Sequence, residues 1–406
     1  MATSVVSCFA FAWYGDFVSF LALATSIIIL QFQTQESYLK IIQAFPIVFI
    51  NGFTSLVRMF MFNQWIPKRE KNNDLVKKLI AYLFIPALFV GLFVIVYAFG
   101  SDHFSALFTN YYLNINSIEL ILITILGFYI SFSFWNYWIP NVCHEKNVLL
   151  ENEFNSQDKL ENKNTFSFLD IDFERKSGEI TFVLLNILLV IFIITYNYEQ
   201  FFEVTQKSNL SEATHERVNV VIFSIIMAVG VIMFYFKSGF NFDEKAKNLK
   251  KLSKIWMLLN GILIISTIIK NSEYISYYGL TYKRLGVYAF LTLALISLFY
   301  TFTKITKQKT NAYLINQMVW YFYGTLLLCS FVNWGGCITV FNTSINKGVE
   351  PEFLKSLNYN EEYRNLYFTK SIIPSNNHSE LNTNVEYQKN KSFLSKALYY
   401  DFLNEK

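Results

Sequence analysis

Apolar runs about 20 residues long recur along this chain, and no other feature constrains its fold so strongly. A helix rising about 1.5 Å per residue needs about 20 residues to cross roughly 30 Å of hydrocarbon. Eight runs have that length: 41–62, 79–99, 118–138, 180–198, 218–236, 255–269, 285–303 and 312–331. A ninth lies within 17–31. Apolar character there begins already at Ser4 and is interrupted by Gly15 and Asp16, so residues 4–31 read either as one long tilted span or as a half-helix followed by a span. The runs are continuous, rich in Leu, Ile and Phe, and separated by charged loops. That pattern is helical, because open strands in lipid leave backbone groups without partners and barrel strands alternate over about 10 residues. The expectation is an all-α polytopic transmembrane helical bundle of about nine spans over 1–334. A C-terminal tail follows over 335–406, with short amphipathic pieces at 351–357 and 392–403.

Composition agrees with a membrane location. The chain is 53% hydrophobic and 16% charged, against a charged share near 25% in soluble domains, so lipid must cover surface that no core could hide. The net charge of +4 is too small to suggest nucleic acid. Cation placement is more informative. With nine alternating spans, one set of loops holds 19 Lys and Arg, and the other holds six: Lys40, Lys207, Arg217, Lys270, Lys283 and Arg284. Since cations are retained on the cytoplasmic side, the N terminus is expected inside and the tail outside. The first cation is Lys40, which speaks against a cleavable leader. The segment 141–178 reads as a charged, mobile connector.

Chemical motifs are scarce. Four cysteines and four histidines are dispersed without metal-site spacing, so no metal or cofactor is expected. No HExxH, GxSxG or P-loop is present, and no paired carboxylates lie within a span, so no enzyme is expected. Asp16, Arg58, Glu119 and Glu179 fall at helix ends, where headgroups or the helix dipole accommodate them. The amides of Asn51, Asn136, Asn186, Asn260 and Gln317 fall within spans, where they either line a pathway or bond between helices. The most distinctive segment is YISYYGLTYKR, residues 274–284. Gly279 suits a turn and Thr281 a helix cap. Tyr278, Lys283 and Arg284 then form a candidate contact for a phosphate or lipid headgroup in the outer leaflet.

That segment also carries a resemblance. The run GLTYKRLGVYAFLTLALISLFYTFTKI at 279–305, the pair Asn333 and Trp334, ITVFN at 338–342, LLNILLVIF at 184–192 and EPEFLKSL at 350–357 resemble a bacterial multi-pass membrane family. The family is domain of unknown function 4173, a relative of 4153, and the chain is most similar to its Bacteroidetes branch. The resemblance implies a helical bundle in the bacterial inner membrane and no reaction. Two departures stand out: Gly335 occupies a position where the family often carries Asp, and a full first span is missing before residue 13. Two functional classes follow, a permease or lipid-handling protein and a non-catalytic regulatory or scaffold protein. Membrane lipids are the expected partners of either, and no protein partner is assigned. A polar cavity among the helices would separate the two classes.

Overall fold

A computed structural model describes residues 1–61, 78, 80–101, 116–156, 159, 170–202, 210–237, 239–370 and 385–403. These are helical or irregular, with no strand among them. The chain divides into two compact units, one of residues 1–45, 140–377 and 405–406, the other of 46–139 and 378–404. The cations at 68–77 and the expected loop at 102–115 lie outside the described residues.

The first unit opens with a helical hairpin, α1 (Ala2–Tyr14) and α2 (Phe17–Gln35). Residues 4–31 are thus a half-helix plus a span. Gly15 makes the reversal at φ 63°, and Asp16 caps α2 by accepting from Ser19 N at 2.8 Å. Small side chains let the two helices approach closely: Ser4, Ser7 and Ala10 are buried on α1, and Ala22 and Ser26 on α2. The Ser7 hydroxyl meets that of Ser26 at 2.9 Å, and Ser26 meets Tyr323 at 2.9 Å.

Further along, α6 (Asn141–Asn147) leads towards the long helices α7 (Ile171–Phe201), α8 (Leu210–Tyr235), α9 (Lys247–Tyr278), α10 (Tyr282–Thr306) and α11 (Asn311–Phe331). Their shared core includes Phe182, Val221, Ile232, Leu249, Leu263 and Leu291. Close packing and interhelical bonds hold such a bundle, because lipid tails are as apolar as these side chains. The expected mobile connector is therefore only partly irregular. Helix α7 begins nine residues before its apolar run, held there by Arg175, which bonds Asp172 at 2.5 Å and Asp243 at 2.9 Å. After α11 the chain bends by 70° into α12 (Trp334–Ile345), then forms α13 (Pro351–Lys355) and α14 (Glu361–Lys370).

The second unit holds most of α3 (Ala44–Arg58), with α4 (Ile85–Gly100) and α5 (Ser117–Trp135). Asn51 fastens the segment after α5 by bonding both Trp138 O at 2.7 Å and Trp138 N at 3.0 Å. Tyr129 Oη donates to Gly52 O at 2.6 Å. Among the described residues, seven helices are long and apolar enough to cross a bilayer, and the bent pair of α11 and α12 makes an eighth. The run at 79–99 is the shortfall against nine. There a π-helical turn, Ile80–Phe84, precedes the 16 residues of α4.

Helix ends in the first unit correct the expected alternation. At one end Lys40 N donates to Asn147 at 2.9 Å and Gln43 to Cys143 O at 3.2 Å. Gln308 reaches Asn241 O at 2.8 Å, and Thr310 reaches the loop at Glu151. At the opposite end of α2 the Tyr14 ring stands 5.0 Å from that of Tyr359, and Tyr282 bonds Asn358 N at 3.2 Å. Strict alternation of nine spans separates residue 16 from the 279–284 turn and Lys40 from the 146 loop. The structure pairs them instead.

Candidate functional site

At the cationic end of the first unit, the end of α2, the turn after it and one face of α11 enclose a half-open cavity of about 210 Å³. Its apolar wall comes from Phe32, Leu39, Ile41, Ile42 and Val319, and its polar lining from Gln33, Glu36, Ser37, Lys40, Asn152 and Gln317. Asn316 also lines the cavity and braces it. Asn316 Nδ2 donates to Leu150 O at 3.0 Å and to Asn152 Oδ1 at 2.8 Å, so the loop at 150–152 is fixed to α11. Beside the rim, Tyr38 Oη meets His144 Nδ1 at 2.6 Å with the rings stacked. Partial desolvation, and then the neighbouring Glu36 carboxylate, raise the Tyr38 phenol above its ordinary value. Trp320 lines the cavity while remaining 42% exposed, so it stands between the cavity and the outer surface of the bundle. Opposite charges, amides and an indole at one helix end suit a polar group at the membrane surface.

The opposite end carries the distinctive sequence segments. Gly279 ends α9 at φ 81° and ψ 176°, a conformation reserved for glycine. Asn342, fully buried on α12, accepts from Leu280 N at 2.6 Å and donates to Leu280 O and Gly348 O, each at 3.1 Å. Asn333 caps α12 through Gly336 N at 2.8 Å and donates to Tyr359 O at 2.7 Å. Asn360 ties Thr339 Oγ1 and Leu354 O together, both at 2.8 Å. Side chains from GLTYKR, NW, ITVFN and EPEFLKSL thus form one knot. It also explains Gly335: a Cβ there would lie 1.8 Å from Asn358 O, so an aspartate is excluded by backbone, not by charge.

Residues 1–362 match the family described as a domain of unknown function (DUF4153). The chain belongs to that family. No curated protein and no solved structure matches it. The match extends past Trp334 to the start of α14, so the knot lies within the part of this DUF4153 member that the family covers.

Of the site residues expected from sequence, Gln317 alone among the intramembrane amides lines the cavity. Asn51 fastens the second unit, and Asn136 caps α5, its side chain reaching Phe132 O at 3.4 Å. Asn186 bonds Leu252 O across two helices at 3.1 Å, and Asn260 bonds Trp256 O in its own helix at 2.8 Å. The Arg284 expectation needs correction. Arg284 is 8% exposed; it donates to Gly279 O and lies 4.3 Å from the Tyr274 ring centroid. The guanidinium closes the turn from inside, one amine on the Gly279 carbonyl and its face against the Tyr274 ring, while its buried Nε has no hydrogen-bond partner among the described residues. Tyr278 and Lys283 are exposed whereas Arg284 is buried, so the three do not present one exposed clamp. The sequence reading missed Glu36, Lys40, Asn152 and Trp320. Lys40 did carry a signal: it is the one cation of its loop, and that loop bonds Asn147 through the Lys40 backbone.

Proposed function

We propose that this DUF4153 member is a lipid-handling membrane protein without enzymatic activity, which holds a lipid headgroup in the cavity between α2 and α11. The observation that carries the reading is the cavity itself, a polar pocket at a helix end whose rim residue Trp320 also faces outward. A conducting pathway is less well supported, since Asn186 and Asn260, deep in the core, spend their amide donors on backbone carbonyls. The same packing favours the scaffold reading as the alternative. In our reading the protein sits in a bacterial inner membrane with its cationic end in the cytoplasm, because Lys40, Lys146, Lys245, Lys251 and Lys309 gather there. The tail segment 334–370 and residues 14–16 then share the exterior side. The segments at 184–192, 279–305 and 338–357 support placing the chain nearer the 4173 branch, of Bacteroidetes type.

The test is lipid retention. Native mass spectrometry of the detergent-purified chain should find about one tightly held phospholipid per protein. Val319→Trp, which fills the cavity, should abolish that retention at an unchanged melting midpoint. Equal retention by the filled variant would remove the cavity from the account.

A further inference from the structure

Size, charge and available donors narrow what this cavity takes, given the lipid-handling reading on which the argument rests. A volume of about 210 Å³ is below the roughly 300–1,000 Å³ of pockets for drug-sized ligands. One headgroup fits and two acyl chains do not, so the chains stay in the bilayer outside the rim. The lining holds one carboxylate, Glu36, and one ammonium, Lys40, four residues apart on the turn after α2. They form no ion pair with each other, and the Lys40 ammonium has no ion-pair partner among the described residues. Gln317 offers an amide that no side chain or carbonyl engages among the described residues. A pocket with one fixed charge of each sign opposes a purely anionic headgroup, whose phosphate would meet Glu36 as well as Lys40.

We infer that the headgroup bound here is a phosphoethanolamine, its phosphate placed against Lys40 and Gln317 and its primary ammonium against Glu36. Choline satisfies the same charges but fits less well. A quaternary ammonium has no N–H for the carboxylate and relies on an aromatic cage, whereas Phe32 is 1% exposed and Trp320 alone offers a ring face. A primary ammonium instead makes charge-assisted hydrogen bonds to a carboxylate and to amide oxygens.

The experiment titrates the delipidated, full-length chain in detergent with phosphatidylethanolamine, phosphatidylcholine and phosphatidylglycerol of matched acyl chains, read by native mass spectrometry. Soluble phosphoethanolamine forms a fourth arm. The wild type should prefer the ethanolamine lipid over the other two by roughly tenfold, the value of one charge-assisted bond. Glu36→Gln should abolish the preference over choline, and Lys40→Gln should weaken all three lipids. Both positions lie on a partly exposed turn, and melting midpoints within a degree of wild type would establish that the variants fold. Equal binding of all three lipids by the wild type, or an ethanolamine preference surviving Glu36→Gln, would overturn the headgroup assignment while leaving the lipid-handling reading standing. No saturable lipid binding at all would overturn that reading too. Soluble phosphoethanolamine binding as tightly as the lipid would overturn the membrane source of the ligand.

Discussion

Replacing Gly279 by valine should unfold the knot at the end of α9 and α10. Two costs combine. The backbone at φ 81° and ψ 176° is essentially closed to residues with a Cβ, at about 1–3 kcal/mol. The added Cβ would also stand 2.7 Å from Lys347 O and 2.9 Å from Asn342 Oδ1, so Asn342 must withdraw. Asn342 makes three bonds across the turn, and losing the two to Leu280 costs about 1 kcal/mol each, more if the buried amide is left unsatisfied. The total is about 3–5 kcal/mol, a large share of any domain's stability. Lys283→Ala, on the exposed side of the same turn, should cost about 0–1 kcal/mol. Thermal unfolding in detergent, followed by size-exclusion fluorescence and compared with membrane-fraction abundance, measures the difference. Equal midpoints and equal abundance for the two variants would refute the turn mechanism.

Three further outcomes follow from the same geometry. Arg284→Ala and Arg284→Lys should both lower the melting midpoint, lysine less, and neither should change co-purified anionic lipid, since the guanidinium is buried against Gly279 and Tyr274; a loss of lipid at unchanged stability would contradict this. In a chain stripped of its native cysteines, Ser37→Cys and Lys251→Cys should react with an impermeant thiol reagent from the same side of the membrane and Glu350→Cys from the other; Ser37 reacting with Glu350 instead would restore the strict nine-span alternation. Lys304, fully buried and bonded to Phe236 O at 2.6 Å, should tolerate methionine, because Asn241 still donates to that carbonyl at 2.9 Å, but not glutamate, whose charge would face it; the readout is protein yield after detergent extraction.

Much of the fold was legible because hydrocarbon thickness imposes one length on every crossing. The apolar runs fall on helices, and Thr281 caps α10 through Arg284 N at 3.3 Å as the sequence suggested. What the sequence could not express is which helix ends meet. Alternation assumes that every run crosses, and a single run that does not cross reverses every assignment on one side of it. Strict alternation puts Lys40 and the 146 loop at opposite ends, whereas the Lys40 backbone bonds Asn147. Arg284 failed differently. Its neighbours in sequence are exposed Tyr and Lys, while the partners that bury it, Tyr274 and the Gly279 carbonyl, are brought round by a turn that α12 holds from 60 residues downstream. The amide side chains expected within spans look alike in sequence, and only contact with a loop such as 150–152 distinguishes Gln317, which faces a cavity, from Asn260, which bonds its own helix.

The claim that the cavity between α2 and α11 is a headgroup site is tested most directly by an electron cryo-microscopy map of the full chain in a phospholipid nanodisc. The account predicts headgroup density bounded by Glu36, Lys40, Gln317 and Trp320, with acyl density leaving past Trp320 into the bilayer. A cavity that stays solvent-filled in the presence of excess phospholipid, or that closes by side chains collapsing onto Lys40, would contradict it.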